Sequence, residues 1–163
     1  MTPSFVINAA LRTVIWFGLT LGLALMSKTP GASIWSLRTD GVVWLGGGIL
    51  AAGLALHVWS TLTLARGEWR QTPTSTVLVT DGPFRYVRHP IYLAGILLVL
   101  GVRLLYPSWQ VIDLVLPLGL LAYFHLAVVR VEEPELRRRF GASYDAYCAR
   151  VPRWLPRRPV RAA

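Results

Sequence analysis

Four long apolar stretches constrain this chain more than any other feature: about Phe5 to Met26, Gly41 to Ala65, Ile91 to Tyr106 and Val111 to Val129. A bilayer core about 30 Å thick is crossed by roughly 20 apolar residues rising about 1.5 Å each. The first, second and fourth stretches meet that length. The third is short, and Arg103 near its end is expected to snorkel to the interface. Gly46-Gly47-Gly48 and Gly53 suit a soluble helix poorly, but in a membrane bundle they let neighbouring backbones approach closely. The first stretch can also be read as a signal peptide, but Arg12 lies inside its apolar run and no small-x-small site follows it directly.

Composition agrees with a membrane protein. Charged residues make up 15% of the chain, where a soluble domain carries about a quarter. Hydrophobic residues make up 54%, which excludes a disordered chain and most soluble enzymes. A lone Cys148 excludes a disulfide-built secreted domain, and no Cys/His spacing suggests a zinc site or any other metal.

The net charge of +9 could suggest nucleic acid, but the positions of the cations argue for topology instead. Thirteen Lys/Arg residues lie in two regions, 66–90 and 130–163, whereas Lys28, Arg38 and Arg103 are the only ones beside the other connections. Two spans separate the rich regions, so both are expected on the cytoplasmic side together with the N-terminus. The expected architecture is an all-α integral membrane protein, a single domain over 1–163. Its spans fall at about 5–26, 41–65, 90–106 and 110–130, and the last two form a helix hairpin turning near Pro107-Ser108. Loop 66–89 and a basic tail 131–163 with short helices complete it. The setting implied is a bacterial inner membrane.

Reflection about that turn sets Arg88 level with Ala127 and Tyr92 level with Tyr123. Glu132 then lies about 7.5 Å further out if the helix continues. Two polar clusters 40 residues apart thus meet at one mouth. In the first, Asp81-Gly82-Pro83 signals a turn, and Pro90 suits the first position of a helix. The positive end of that helix, with Arg85, Arg88 and His89 around it, favours an anion, although such residues also serve as interface anchors. In the second, Pro134 disfavours helix at Glu133, so Glu132-Glu133 is expected at a kink or at a new helix start. Glu135 is expected to pair with Arg139. Gly141 reads as a helix stop and Ser143 as the cap of a following short helix. Tyr144, Tyr147 and Trp154 suit the headgroup layer. His125, an ionisable group within the fourth stretch, is either functional or a helix–helix hydrogen-bonding residue, and Asp113 lies near that stretch's far end.

Arg88-His89-Pro90-Ile91-Tyr92 followed by Glu132-Glu133 resembles the linked signature of the isoprenylcysteine carboxyl methyltransferase and phospholipid methyltransferase superfamily. Gly82-Pro83, Leu136, Phe140-Gly141, Tyr144, Tyr147 and Pro152-Arg153 are similar to the same family's extended pattern, so the resemblance covers roughly 80–156. It implies a membrane methyltransferase that uses S-adenosylmethionine at the cytoplasmic mouth. Arg88, His89, Pro90, Tyr92, Glu132 and Glu133 become the expected cofactor-binding residues. His89 and Glu133 are the expected catalytic groups, with Arg139 (or Arg138) holding an acidic acceptor or headgroup. The expected acceptor is lipidic or membrane-dissolved, and carboxylate, amine and thiol all remain open. Two rivals stand beside this reading: an NADPH-dependent membrane reductase of related architecture, and a non-enzymatic small membrane subunit whose basic tail binds anionic lipid.

Overall fold

Helix α1, Asp40–Trp69, is built from an apolar run with no proline, and among the described residues of the computed structural model it is the longest element. The structure describes Ile15, Gly18 and residues 40–69, 77–105 and 112–156. The expected first span, apart from Ile15 and Gly18, lies outside the described residues, as does the connection at 106–111. Within α1, Gly41–Gly67 is long and apolar enough by itself to cross a bilayer. Trp44, Leu45, Leu54, Val58 and Leu62 point outward from it, as suits a helix with lipid for a solvent. The helix runs past the expected end at residue 65 and carries Arg66 with it. Gly67 permits this, because a Cβ there would collide with Val79 of the returning chain.

Helix α2, Pro90–Leu105, packs antiparallel to α1, and glycines set the distance. A Cβ on Gly101 would lie 2.7 Å from the backbone nitrogen of Leu50. Gly53 sits the same way against Leu98, and Gly46 against Leu104 and Leu105. The small residues bring the two backbones together, as expected for a membrane bundle. Gly47 and Gly48 face open space and take no part.

Helix α3, Ile112–Ala127, returns along α2. Tyr92, Val99, Leu120, Phe124 and Val128 form their shared core, and the Tyr92 and Phe124 rings lie 4.7 Å apart. The partner of Tyr92 is thus one residue from the expected Tyr123. Arg103 does not snorkel. It is 5% exposed, because it stands one turn beyond Val99 on the face that α2 turns inward.

The chain then passes through a π-helical turn, Val128–Glu132, into α4, Glu133–Phe140, and after Gly141 into α5, Ala142–Arg150. Gly141 has φ +52° and stops α4 as expected. It also occupies the cap position of α5, so Ser143 lies inside the first turn instead of capping it. Tyr144, Tyr147 and Val151 follow an i, i+3, i+7 stripe and bury against Leu78, Leu136 and Phe140. That spacing draws both tyrosines into a core, where a headgroup position was expected. Every regular element among the described residues is helical.

Gly101→Ala is expected to lower the melting temperature in detergent, since overpacking against backbone costs about 1–3 kcal/mol. Gly48→Ala, in open space, should leave it unchanged or raise it, because glycine is the poorer helix former by about 0.5–1 kcal/mol. Equal effects of the two variants would mean that glycine does not set the α1–α2 distance.

Candidate functional site

The segment from Asp81 to Pro90 is irregular, and helices hold it from two sides. Gly82 has φ +55°, and a Cβ there would stand 2.8 Å from Thr63 Oγ1 on α1, so both conformation and space call for glycine. A short 3₁₀ turn, Gly82–Arg85, follows, with Phe84 N–H donating to Asp81 O at 3.1 Å. On the other side the Tyr147 hydroxyl donates to Phe84 O at 2.7 Å, and Arg88 N–H donates to Pro152 O at 2.9 Å. Those two bonds fix the backbone on either side of Arg85–Val87, and Pro90 then begins α2.

The glutamates are placed by the π turn. Pro134 has no N–H to give and its ring crowds the preceding turn, so the helix widens ahead of it. The Glu133 amide reaches back five residues to Val128 O. Neighbouring residues of an α-helix point about 100° apart, yet Glu132 and Glu133 are both buried here, while Glu135 beyond the proline is exposed. The expected kink and the expected helix start are one feature.

Glu133 is the centre of the cluster. Arg153 grips it with both arms of its fork, Nε on Oε1 at 2.8 Å and Nη2 on Oε2 at 2.7 Å. Arg88 Nη1 stands 3.0 Å from Oε1 and also donates to Cys148 Sγ at 2.8 Å. His89 lies between the two carboxylates, with Nε2 3.4 Å from Glu133 and Nδ1 3.6 Å from Glu132. These distances suit ion pairing better than a good hydrogen bond. Trp154 packs beside them, its ring 5.9 Å from His89 and 6.2 Å from His125, and its Nε1 donates to His125 Nδ1 at 3.2 Å.

The charges shift one another. Burial pushes the Glu133 carboxyl up, but His89, Arg153 and Arg88 outweigh it and hold the carboxyl well below the usual range. Burial likewise pulls His89 down, but the facing Glu132 and Glu133 leave its pKa raised above the ordinary 6.5. Removing one partner from such a buried pair costs about 3–5 kcal/mol, because it strands the other charge.

Arg88, His89, Pro90, Tyr92, Glu132 and Glu133 therefore come together from two regions 40 residues apart, as the sequence suggested. Arg138 and Arg139 lie on the exposed side of α4, where Arg138 pairs with Glu135, the carboxylate expected to meet Arg139. The Arg139 guanidinium lies 5.2 Å over the Phe140 ring. Arg153, Trp154, Cys148 and Tyr144 were missed as site residues. The Val151–Pro156 stretch reads as a membrane-surface segment in sequence, and only its place in the extended family pattern marked Arg153. His125 accepts a hydrogen bond from Trp154 of the irregular tail, where the alternative to a functional role was a bond between helices.

Three buried polar atoms here have no hydrogen-bond partner: Arg88 Nε, His89 Nε2 and the Tyr144 hydroxyl. Carboxylates, guanidiniums and an imidazole beside unfilled donors fit a ligand that is itself zwitterionic, such as the amino-acid end of S-adenosylmethionine. Among the described residues no group of His, Cys, Asp and Glu is arranged to hold a metal ion.

Comparison with known proteins places this geometry in context. Residues 42–143 match the phospholipid methyltransferase family, a stretch that includes both polar clusters and stops short of Arg153. The nickel-cobalt-cadmium resistance protein NccN of Alcaligenes xylosoxydans xylosoxydans is 30% identical over 149 residues, 90% of this chain and 65% of that protein. The protein-S-isoprenylcysteine O-methyltransferase of Schizosaccharomyces pombe is 38% identical over 80 residues, 49% of this chain and 33% of that one. The cobalt-zinc-cadmium resistance protein CzcN of Cupriavidus metallidurans is 29% identical over 148 residues, 90% of this chain and 64% of that protein. The chain thus spans from a third to just under two thirds of the length of these relatives. No solved structure matches it significantly.

The His89 shift has a definite sign in stability. A raised pKa means that the pair stabilises the fold fully below pH 6.5 and loses that contribution as pH rises through the folded-state value. The depressed Glu133 contributes above the ordinary 4.5 and is lost as pH falls towards its folded value. The melting temperature of wild type minus that of His89→Gln is therefore expected to be largest between these limits and to shrink at alkaline pH. A difference that grows with rising pH would contradict the assignment.

Proposed function

The chain belongs to the phospholipid methyltransferase family, within the superfamily that also holds the isoprenylcysteine methyltransferases, and from that premise we propose that it transfers a methyl group from S-adenosylmethionine to a lipidic or membrane-dissolved acceptor. The observation that carries this reading is the buried convergence of Glu132 and Glu133 with Arg88, His89 and Arg153 at the start of α2. Arg88, His89 and the first turn of α2, with Pro90 and Tyr92, would hold the cofactor's carboxylate. Glu132 or Glu133 would take its ammonium or its ribose hydroxyls.

When bound, S-adenosylmethionine supplies a methyl group already activated by its sulfonium. The protein's work is then alignment and the exclusion of water, more than acid–base power. Tyr92, Phe124 and Trp154 supply the dry wall beside His89. A carboxylate or thiolate acceptor needs no base. An amine acceptor would need a base, His89 or Glu133, and His89 can serve only in its neutral form, with one ring nitrogen released from its facing carboxylate. Arg139 is the candidate for an anionic group on the acceptor, because it stands on the exposed side of α4 one turn beyond Glu135.

The same reading makes the chain one membrane domain over 1–163 with spans near 5–26, 41–65, 90–106 and 110–130. Loop 66–89 and tail 131–163 face the cytoplasm, in a bacterial inner membrane, with both termini on that side. The positive bias of those two segments supports this orientation.

Equilibrium dialysis of detergent-purified protein with tritiated S-adenosylmethionine tests the assignment. Glu133→Gln and His89→Ala are each expected to weaken binding at least tenfold while the protein remains monodisperse, because contacts to charged groups are worth about 1.5–3 kcal/mol. Wild-type affinity in both variants would place the cofactor elsewhere. In a methylation assay on total membrane lipid extract, Arg139→Ala should lower turnover without changing cofactor affinity.

A further inference from the structure

Two tyrosines one turn apart on α5 are both buried, and only one of them is satisfied. The Tyr147 hydroxyl donates to Phe84 O at 2.7 Å and holds the loop in place. Tyr144, 1% exposed, has a hydroxyl beside the Cys148 thiol, a weak acceptor, and makes no well-formed hydrogen bond. A phenylalanine would fill the same space without stranding a polar atom, so Tyr144 costs the ligand-free fold stability that the sequence could have kept. Arg88 Nε is likewise unbonded and sealed from water in the same cluster, and His89 Nε2, equally sealed, has only its 3.4 Å ion pair with Glu133. The Arg88 nitrogen can only donate. The neighbouring carboxylate, Glu133, is already shared among three cations. Burial first, then the charge of Glu133, raises the phenol's pKa, so it too keeps its proton and can donate. What such a set lacks is an acceptor with several lone pairs.

We propose that the Tyr144 hydroxyl is a cofactor-binding donor that, together with Arg88 Nε and His89 Nε2, receives the carboxylate of S-adenosylmethionine. This rests on the function proposed above and adds to it a residue of α5, outside the two linked motifs. Because the three atoms are closed to water, binding requires a neighbouring group to move. The Trp154 side chain can do so without disturbing the Arg153 fork on Glu133, since a single indole bond to His125 is the hydrogen bond that fastens its ring beside His89.

Stability and affinity should therefore move in opposite directions in Tyr144→Phe. The ligand-free variant is expected to melt at the wild-type temperature or about 2–4 °C above it. Its affinity for S-adenosylmethionine and S-adenosylhomocysteine should fall about tenfold, as the loss of a hydrogen bond to a charged group implies. Decarboxylated S-adenosylmethionine should bind wild type and variant within about twofold of each other, as a ligand without the carboxylate loses nothing. Tyr147→Phe, which breaks a made bond, should instead melt lower and calibrates the sign of the thermal measurement. Unchanged affinity in Tyr144→Phe, an equal loss for the decarboxylated ligand, or a fall in melting temperature like that of Tyr147→Phe would each overturn the proposal. If wild type itself binds none of the three ligands, the methyltransferase reading falls and this inference falls with it. If wild type binds and Tyr144→Phe binds equally well, this inference alone falls.

Discussion

One buried carboxylate holds this site together. Glu133 is 3% exposed and meets Arg88 from the loop before α2, His89 beside it, and Arg153 from the tail. An ionised carboxylate away from water must be paired, and its pairing must be good enough to offset the loss of hydration. The fork from Arg153 and the single arm from Arg88 meet that demand with charge-assisted geometry. The consequence is architectural, because three segments distant in sequence can satisfy Glu133 only by meeting at one place. The π turn follows from the same requirement, since without the widening before Pro134 both glutamates could not turn inward. Chemistry and backbone geometry are thus tied at one residue.

The rest of the fold presents that meeting point. Gly46, Gly53 and Gly101 let α1 and α2 pack backbone to backbone, which fixes α1 beside the loop that Gly82 starts. The Tyr92–Phe124 contact then fixes the rise of α3 against α2, and with it the depth at which Glu132 and Glu133 emerge. Lipid-facing helices of this kind gain little from the hydrophobic effect between themselves, so close packing and buried polar contacts carry more of their specificity. In this molecule the two are divided: glycine contacts act along the helices and charge pairing acts at their end.

Much of this was legible beforehand, for identifiable reasons. Residue spacing about a tight turn is enough to bring Arg88–Tyr92 and Glu132-Glu133 to one mouth, and the observed partner of Tyr92 differs from the reflected one by a single residue. Pro134 announced the break because its effect on the preceding turn is local. What escaped was the direction in which ambiguous residues face. Arg103, Tyr144, Tyr147, Arg153 and Trp154 are all residue types that serve equally at a membrane surface, and composition alone favours that use. Tertiary partners turned them inward: the core face of α2 for Arg103, the stripe ending in Val151 for the tyrosines, and Glu133 for Arg153. For Arg153, Trp154 and Tyr147 the hydrogen-bonded partners lie 20, 29 and 63 residues away, beyond any local pattern, whereas the stripe of Tyr144, Tyr147 and Val151 is itself a local one.

The proposed placement of S-adenosylmethionine against Glu133 is open to direct observation, because that molecule crosslinks to protein around it on ultraviolet irradiation. Irradiating the purified protein with a tritiated sample and digesting it would show which segment carries the label. Label within residues 82–92 or 132–154, suppressed by excess S-adenosylhomocysteine, is the expected result. Suppressible label confined to α1, with those two segments clean, would contradict the placement of the cofactor at the Glu133 cluster.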